Sequence, residues 1–493
     1  MIMSAQYRGI FKAISLFGGT QILQILITFI RSKFIALFIG AEGMGVSSIY
    51  NSTITLFVTI CGLGIGTSVV RDLAKASDEG DAKTLATVTT IFIRVLSILA
   101  IIGTIIAFSL SKYLSIWTFE SLDYQTDFRY LSLMVLFTLL QNGNISILVG
   151  TRRVKDTAMC SLFGSVAMLI TSVPFFYFFG MKGIVPGLVI SSFANYLISY
   201  AYYRKIKLDK VNVKYLETKK YICSIITLGV AMVASLLLGN LARYVINIAV
   251  SRIGSVADIG YYNAAISITF QSISLVFAAM ASDYFPRLSA AMKDKLMMNE
   301  TVRQQTEIIL YLVIPILLCM MVASPIVVKV LLTDEFLVIN QFIRIVTIGM
   351  FFKAISFPLG YLAFAKGDKK IYFWLEGVYV NVSNLLLSVV FYYFWGLEGM
   401  AWAMVISYIL YYIIVMVVSI KRYDMILYRD LLGIIVFFAI IYFIIYILSN
   451  ILNPLYYNIA ASFLCLFFSI LSLIKLNEKV QFISLLKSKL LKG

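Results

Sequence analysis

Residues 180–191, GMKGIVPGLVIS, and residues 396–407, GLEGMAWAMVIS, have the same two glycines and the same final Val-Ile-Ser. The two stretches begin 216 residues apart in a chain of 493 residues. Each one forms a short turn between two long apolar runs, and six such runs separate the first copy from the second. The chain therefore contains an internal repeat of about six apolar segments, and this repeat decides the fold.

The composition places these segments in a membrane. Hydrophobic residues make up 61% of the chain, charged residues make up 13%, and the mean hydropathy is +0.93. A soluble protein carries roughly 25% charged residues. The chain has no histidine, which excludes imidazole acid–base catalysis and imidazole metal ligands. Its five cysteines occur singly in apolar runs, which predicts reduced thiols in the core rather than a metal or redox site.

Fourteen apolar stretches are long enough for a membrane-spanning helix, which needs roughly 20 residues. The predicted spans 1 to 14 are residues 15–39, 46–70, 85–110, 131–149, 158–179, 184–203, 221–250, 259–285, 307–330, 338–365, 371–393, 400–420, 431–448 and 455–474. Short turns, such as the one at Gly40, make consecutive spans antiparallel neighbours. We find no apolar stretch with a cleavage site before span 1, so span 1 is expected to be a true span. The predicted fold class is an all-α polytopic membrane protein.

The repeat divides the chain into three parts. Residues 1–215 are expected to form an N-terminal six-helix lobe, residues 216–425 a C-terminal six-helix lobe, and residues 426–493 an appended helix pair with a basic tail. Because an even number of spans separates the copies, both lobes have the same orientation and are related by an axis along the membrane normal. This architecture is typical of transporters that bind substrate where the repeats meet, with a channel or a scaffold as the alternatives.

Basic residues are concentrated in alternate loops. If the N-terminus is cytoplasmic, 30 of the 41 Lys and Arg lie in inner loops and termini, for example at 152–155, 204–207 and 366–370. This asymmetry follows the positive-inside rule and predicts that both termini are cytoplasmic. It also accounts for the net charge of +17 without a nucleic acid partner, because the excess charge faces the anionic inner leaflet.

Polar residues recur on one face of four predicted spans, two from each half. The stripes are Thr20, Gln24, Thr28 and Arg31 in span 1; Asn51, Thr55 and Thr59 in span 2; Asn240, Arg243 and Asn247 in span 7; and Asn263, Ser267, Gln271 and Ser274 in span 8. Steps of three or four residues keep each set on one helix face. Such residues either join helices by hydrogen bonds or line a wet cavity. Their symmetric positions favour a shared central cavity.

Six basic residues lie within predicted spans, whereas no acidic residue lies near the middle of one. They are Arg31, Lys33, Arg94, Arg243, Arg344 and Lys353. A charged group at the centre of a membrane helix costs roughly 2.5–3.5 kcal/mol, so basic groups without acids predict an anionic guest. Arg31 and Arg243 also belong to polar stripes and are the expected pair for a diphosphate, because guanidinium groups bind phosphate oxygens in a bidentate way. The side chain of Lys33 is expected to extend outward from the helix bundle. For Arg94 and Lys353, the alternative to binding the anionic guest is pairing with backbone carbonyls within one bundle.

The repeat, the basic residues within spans and the appended helix pair resemble the polysaccharide flippase (Wzx, O-antigen translocase) branch of the multidrug/oligosaccharidyl-lipid/polysaccharide (MOP) exporter superfamily. The clearest local likeness runs from residues 34–45 to residues 71–75, and the twelve-helix arrangement covers residues 1–422. The resemblance implies a V-shaped pair of lobes that open alternately to the two sides of a bacterial plasma membrane. It also implies the substrate, an oligosaccharide on undecaprenyl diphosphate that moves from the cytoplasmic to the outer leaflet.

The resemblance also implies roles for particular residues. In related lipid II flippases, arginines of helix 1 and of the second lobe line a cationic cavity, and Arg31 and Arg243 occupy comparable places. An Arg–Asp neighbour pair of those proteins is missing, because Arg31 is flanked by Ile30 and Ser32, which favours a polysaccharide unit over lipid II. Spans 13 and 14 are expected to form a groove for the lipid tail. The complete set of expected substrate contacts is Arg31 and Arg243 for the diphosphate, Gln24, Asn51, Asn247, Asn263 and Gln271 for sugar hydroxyls, and Arg94, Arg344 and Lys353 as further basic contacts.

No catalytic residue, metal or cofactor is expected, because flipping breaks no covalent bond, and the sequence has no Walker motif. The expected partners are the lipid-linked oligosaccharide, membrane lipids and, by resemblance, a polysaccharide polymerase and a chain-length regulator. The protein is expected to be a monomer, because the repeat supplies both lobes. The alternatives are a cation-coupled drug or metabolite antiporter of the same superfamily, a membrane glycosyltransferase or polymerase, and a lipid scramblase.

Overall fold

The computed structural model describes residues 2–206, 211 and 215–480, with side chains for residues 18–206, 211, 229 and 233–480 apart from 279, 282, 454 and 480. Within this part of the chain all regular secondary structure is helical. The predicted all-α polytopic fold is therefore confirmed. Lys207 of the predicted basic loops and the basic tail at 481–493 lie outside the described residues.

The chain divides into two compact units, Met1–Gly260 and Tyr261–Gly493. The first unit contains α1 (Ile2–Gly62), α2 (Ile65–Asp78), α3 (Ala82–Ser109), α4 (Ser111–Phe119), α5 (Gln125–Gly150), α6 (Val154–Phe179), α7 (Ile184–Tyr203), α8 (Tyr215–Ile253) and the start of α9 (Val256–Ala291). The second contains the rest of α9, α10 (Lys295–Leu331), α11 (Asn340–Ala365), α12 (Lys369–Tyr372), α13 (Val380–Tyr423), α14 (Arg429–Ile451) and α15 (Pro454–Val480). A π-helical segment, Phe373–Tyr379, joins α12 to α13. The division at residue 215 concerns the symmetry of the sequence and stays a prediction.

Ten helical stretches of the described residues are long and apolar enough to cross a membrane. Three of them, Gly18–Gly62, Val154–Tyr203 and Lys369–Tyr423, are 45, 50 and 55 residues long. Each of the three is interrupted at a glycine with positive φ, namely Gly40, Gly180 and Gly396. Counting their arms separately and adding α9, which bends by 50°, gives the fourteen predicted spans. Helices α2 and α4 were not predicted as separate helices: α2 begins at Ile65 within predicted span 2, and α4 lies between predicted spans 3 and 4.

The two copies of the repeated turn have the same local geometry. Gly180 and Gly396 adopt φ values of 54° and 59°, in the left-handed region that favours glycine. A Cβ atom on Gly183 would lie 2.1 Å from the carbonyl oxygen of Phe175, and one on Gly399 would lie 2.1 Å from that of Phe391. These partners are also 216 residues apart, so the repeat read from the sequence holds in three dimensions.

The repeated serines that follow the turns also have the same role. The hydroxyl of Ser191 in α7 lies 2.8 Å from that of Thr171 in α6, and the hydroxyl of Ser407 lies 3.0 Å from that of Ser383 in the preceding arm. In both halves a partly buried hydroxyl pair therefore holds together the two helices that the turn joins.

The appended pair α14–α15 packs on α10 and α11 within the second unit. Tyr442 of α14 donates a hydrogen bond to the carbonyl of Ile314, and Ser472 of α15 donates one to the carbonyl of Tyr311. The four cysteines whose side chains are described are free. Cys319 of α10 is exposed, contrary to the prediction of a core thiol, and its sulfur lies 3.6 Å from that of Cys465 in α15.

Candidate substrate cavity

A cavity of about 680 Å³ lies among α1, α5, α6, α7 and α8 of the first unit. Four of the predicted site residues line it: Gln24, Arg31, Asn51 and Arg243. Its lining contains two arginines and many amide and hydroxyl groups, and none of its described residues is acidic. Such a cavity offers hydrogen-bond donors to an anion and leaves its positive charge without an acidic neighbour in the lining.

Arg31 is held against α6. Its Nε donates a hydrogen bond to the hydroxyl of Ser172 at 3.1 Å, and that hydroxyl donates to the carbonyl of Met168 at 2.6 Å. No other hydrogen bond or ion pair of the Arg31 side chain occurs among the described residues. Since a guanidinium carries five N–H groups, four remain to bind a guest.

Arg243 is positioned by the residues one turn before and after it in α8. The amide of Asn240 donates to the hydroxyl of Thr59 at 2.8 Å, and the amide of Asn247 donates to the hydroxyl of Ser52 at 3.1 Å. These two bonds fix α8 to the second arm of α1 on either side of Arg243, whose side chain is exposed and lines the cavity. Asn247 is buried in this contact and does not belong to the cavity lining.

The rest of the polar stripe along α1 is bonded largely within its own helix. Thr28, Thr55 and Thr59 donate to the carbonyl four residues earlier, at 2.7–2.8 Å. The side-chain amide of Asn51 donates in the same way to the carbonyl of Ser47, while its side-chain oxygen Oδ1 accepts no hydrogen bond from the described residues. The stripes therefore serve both expected purposes. Some of their residues form hydrogen bonds between helices or to the backbone of their own helix, and others line the cavity.

Helices α5, α6 and α7 contribute polar residues that we did not predict from the sequence. They include Gln141, Asn142, Ser161, Ser165, Ser191 and Asn195. A usable signal was present, because Ser161 with Ser165 and Ser191 with Asn195 are spaced by four residues, as in the stripes of spans 1 and 8.

Arg94 lies outside this cavity. It is exposed on α3, on the same helix face as Ile98, Ile101 and Ile105, which are themselves more than half exposed. Steps of four, three and four residues keep all four side chains on this face. Arg94 therefore belongs to an apolar outer surface of the first unit.

Lys353 lines a cavity of about 390 Å³ in the second unit, and Glu376 lines the same cavity. The ammonium of Lys353 lies 4.1 Å from the ring centroid of Phe270, and the Glu376 carboxylate accepts a hydrogen bond from Tyr411. A Cβ on Gly360 would come within 2.7 Å of Glu376 Oε1, so this glycine lets the carboxylate approach α11. The prediction that the basic residues within spans lack acids is therefore wrong for Lys353.

The other three predicted residues lie in the second unit, away from its two cavities described in this structure. Asn263 is half-buried in α9, and Gln271 donates to the hydroxyl of Ser267 at 3.0 Å on the same helix. The guanidinium of Arg344 in α11 stacks on the ring of Tyr457 in α15, with 4.7 Å between Cζ and the ring centroid. The structure thus brings four of the ten predicted residues around one cavity.

Solved structures with the same fold are transporters. The lipid II flippase MurJ in an inward closed conformation is 16% identical, has a TM-score of 0.71, and matches over 95% of this chain and 99% of its own. A multidrug resistance MATE family transporter of the MOP superfamily, in an inward-facing conformation, is 18% identical with a TM-score of 0.68, over 82% of this chain and 94% of its own. A MOP superfamily transporter from Pyrococcus furiosus is 14% identical with a TM-score of 0.59, over 84% of this chain and 96% of its own. At these identities the similarity shows the fold alone.

The sequence itself matches a protein family over more than half of its length. Residues 10–292 match the family described as "Polysaccharide biosynthesis protein". None of the curated proteins matches the chain. The matched region includes every residue of the first unit's cavity. The family match shows that this chain belongs to the polysaccharide biosynthesis protein family, and its fold is shared with solved transporters of the MOP superfamily.

Proposed function

We propose that this protein is a flippase that moves an oligosaccharide repeat unit on undecaprenyl diphosphate from the cytoplasmic to the outer leaflet of a bacterial plasma membrane. The observation that carries the proposal is the cavity of the first unit, which combines two arginines with amides and hydroxyls and has no acidic side chain in its lining. The family match supports a role in the biosynthesis of a cell-surface polysaccharide.

The cavity has groups for both polar parts of such a substrate. Arg31 and Arg243 bind the diphosphate, because the planar guanidinium fork matches phosphate oxygens and each charge-assisted bond is stronger than a neutral one. Gln24 and Asn51 hydrogen-bond to sugar hydroxyls, together with the polar residues of α5 to α7. The prenyl chain stays in the lipid during transfer, because an apolar chain in the cavity would displace hydrogen-bond partners from its polar groups.

Transfer takes place by alternating access of the two lobes, as the resemblance implies. No covalent bond changes, so these residues bind and orient the substrate. Both termini are cytoplasmic, in accordance with the distribution of basic residues. The energy comes from the membrane potential, from an ion gradient, or from removal of the product by a polymerase on the outer side.

A second candidate function, a cation-coupled antiporter of the same superfamily, is favoured by one observation. Glu376 lines the second unit's cavity beside the aromatic rings of Tyr361 and Tyr372. A buried carboxylate is the group that exchanges a proton or a metal cation. Lys353 in the same lining weighs against a cationic guest there.

A leaflet assay in proteoliposomes tests the proposal. A fluorescent undecaprenyl-diphosphate oligosaccharide is reconstituted with the protein, and an impermeant glycan-cleaving enzyme is added outside. We expect cleavage of the inner-leaflet pool to depend on the protein and to be lost in Arg31→Ala and Arg243→Ala, while Arg94→Ala remains active. Absence of protein-dependent cleavage, with and without a pH or sodium gradient, would contradict the flippase and favour the antiporter.

A further inference from the structure

A second cationic feature lies where α11 meets the appended pair α14–α15. Arg344 is in the second turn of α11, and its guanidinium covers the ring of Tyr457, which is in the first turn of α15. Gln341 of α11 donates to Asn450, at the end of α14, over 2.6 Å. The three helices therefore meet at their ends, and their contact is made by polar side chains.

Polar atoms in this contact have no partner. Among the described residues, nine buried side-chain nitrogen or oxygen atoms lack a hydrogen bond, and two of them, Arg344 Nε and Tyr457 Oη, belong to side chains that touch each other. Tyr457 is only 2% exposed. No carboxylate of the described residues forms an ion pair with Arg344. Because unpartnered buried polar groups cost free energy, such a cluster indicates a guest.

The chemistry of the two groups specifies the kind of guest. A guanidinium has only N–H donors, and a phenol hydroxyl supplies one O–H donor, so together they require an acceptor. Cζ of Arg344 lies over the Tyr457 ring, and this cation–π contact supplies no lone-pair acceptor to the N–H groups, which need an acceptor from elsewhere. A phosphate offers several acceptor oxygens and a compensating negative charge.

The position specifies the source of the phosphate. Arg344 lies one turn from Asn340, where α11 begins, and Tyr457 lies one turn from Pro454, where α15 begins. Helix ends of membrane spans lie near the level of the lipid headgroups. We propose that Arg344 and Tyr457 form a binding site for the phosphate of a membrane lipid, outside the cavity that holds Arg31.

Two lipids carry this chemistry. One is a bilayer phospholipid, which would fasten the appended pair to the second unit. The other is the diphosphate of the transported lipid, in which case the site serves arrival or release of substrate, and only this version rests on the proposed function.

Native mass spectrometry of the purified full-length protein tests the site. The probes are phosphatidylglycerol and undecaprenyl diphosphate without a glycan, and diacylglycerol serves as the lipid without phosphate. For at least one of the two phosphate lipids, we expect the amount of lipid that stays bound to the protein to fall about tenfold in Arg344→Gln. It should fall about threefold in Tyr457→Phe, because this variant loses the hydroxyl but keeps the ring next to the guanidinium. Arg344→Lys should give an intermediate value, because it keeps the charge and loses the planar fork.

The matched control is Arg94→Gln, which removes the same charge from the exposed apolar face of α3. A fall limited to phosphatidylglycerol identifies the bilayer lipid as the source, and a fall limited to undecaprenyl diphosphate identifies the transported lipid. Wild-type retention of both probes in Arg344→Gln and Tyr457→Phe would overturn the proposal, and so would an equal fall in Arg94→Gln. If the leaflet assay of the wild-type protein shows no transport while Arg344→Gln still loses phosphatidylglycerol, the flippase proposal fails and this site stands.

Discussion

The two cavities differ in charge although the two halves of the chain repeat the same fold. In the first unit, Arg31 and Arg243 line a cavity without an acidic side chain among its described residues, whereas in the second unit Lys353 shares its cavity with Glu376. Meanwhile the turns at Gly180 and Gly396 agree in φ and in the close approach of the following glycine. The repeated turns thus agree in backbone geometry, whereas the two cavities differ in charge.

This difference assigns different tasks to the two cavities. A basic cavity without an acidic residue in its described lining favours an anionic guest, while a lysine near a carboxylate has much of its charge compensated within the protein. We therefore expect substitutions of basic residues to affect transport in the first unit and stability in the second.

The largest expected effect is the loss of transport in the double variant Arg31→Ala/Arg243→Ala. Hydrogen bonds to charged groups contribute roughly 1.5–3 kcal/mol each, so losing both arginines should slow transfer at least about 100-fold. The initial rate of glycan exposure in the leaflet assay measures this. Arg31→Lys/Arg243→Lys is the control, because it keeps the charge and loses the planar fork. A fully active double alanine variant would show that the charge of this cavity is irrelevant to transport.

The second prediction concerns the repeated turns, which have the same geometry in both halves of the chain. Gly183→Ala and Gly399→Ala should each destabilise the protein by roughly 1–3 kcal/mol, because the added Cβ forces a backbone carbonyl to move. The fraction of monodisperse protein after heating in detergent measures the change. Gly433→Ala is the matched control, since the φ of Gly433, like those of Gly183 and Gly399, is not positive and a Cβ on Gly433 meets nothing within 4 Å. Clearly unequal effects at positions 183 and 399 would contradict an equivalent role of the two turns.

The third prediction tests compensation in the second cavity. Glu376→Gln should lower the unfolding midpoint by the equivalent of about 1–3 kcal/mol, because it leaves the half-buried Lys353 without its nearby carboxylate. Lys353→Met should also destabilise, and the double variant should be more stable than the sum of the single changes predicts. Additive effects would show that the two charges do not interact. Transport by Lys353→Met should remain well above that of Arg31→Ala.

The fold could be predicted largely from the sequence because its determinants are local. Apolar run length and the glycines at 40, 180 and 396 give the spans and the breaks between them. The prediction failed for α4, which lies in a loop region that has no long apolar run. The packing of α8 within the first unit could not be predicted either. It involves hydrogen bonds from Asn240 and Asn247 to two hydroxyl groups of α1, which are distant in the sequence.

The candidate site was predictable in part, since periodicity shows which residues share a helix face but not what that face meets. Arg243 and Asn247 are one turn apart, yet Arg243 lines the cavity and Asn247 is buried against Ser52. Glu376 lies in the π-helical segment before α13, and only the packing of this part of the chain against α11 brings its carboxylate into the cavity that Lys353 lines. Such pairings join distant segments of the chain and leave no trace in a single sequence.

The smallest predicted effect compares two serines at equivalent positions of the repeat. Ser172 accepts the hydrogen bond from Arg31, whereas Ser388, 216 residues later, donates to the side chain of Asn384 on its own helix. Both hydroxyls are fully buried, so Ser172→Ala and Ser388→Ala should destabilise the protein to a similar, small extent. Only Ser172→Ala frees the guanidinium. Because the positive charge stays in the cavity, we expect only an approximately threefold slower transfer, which corresponds to about 0.7 kcal/mol. Equal transport by both variants would mean that Arg31 is oriented without Ser172, and a slower Ser388→Ala would mean that the second half also positions the substrate.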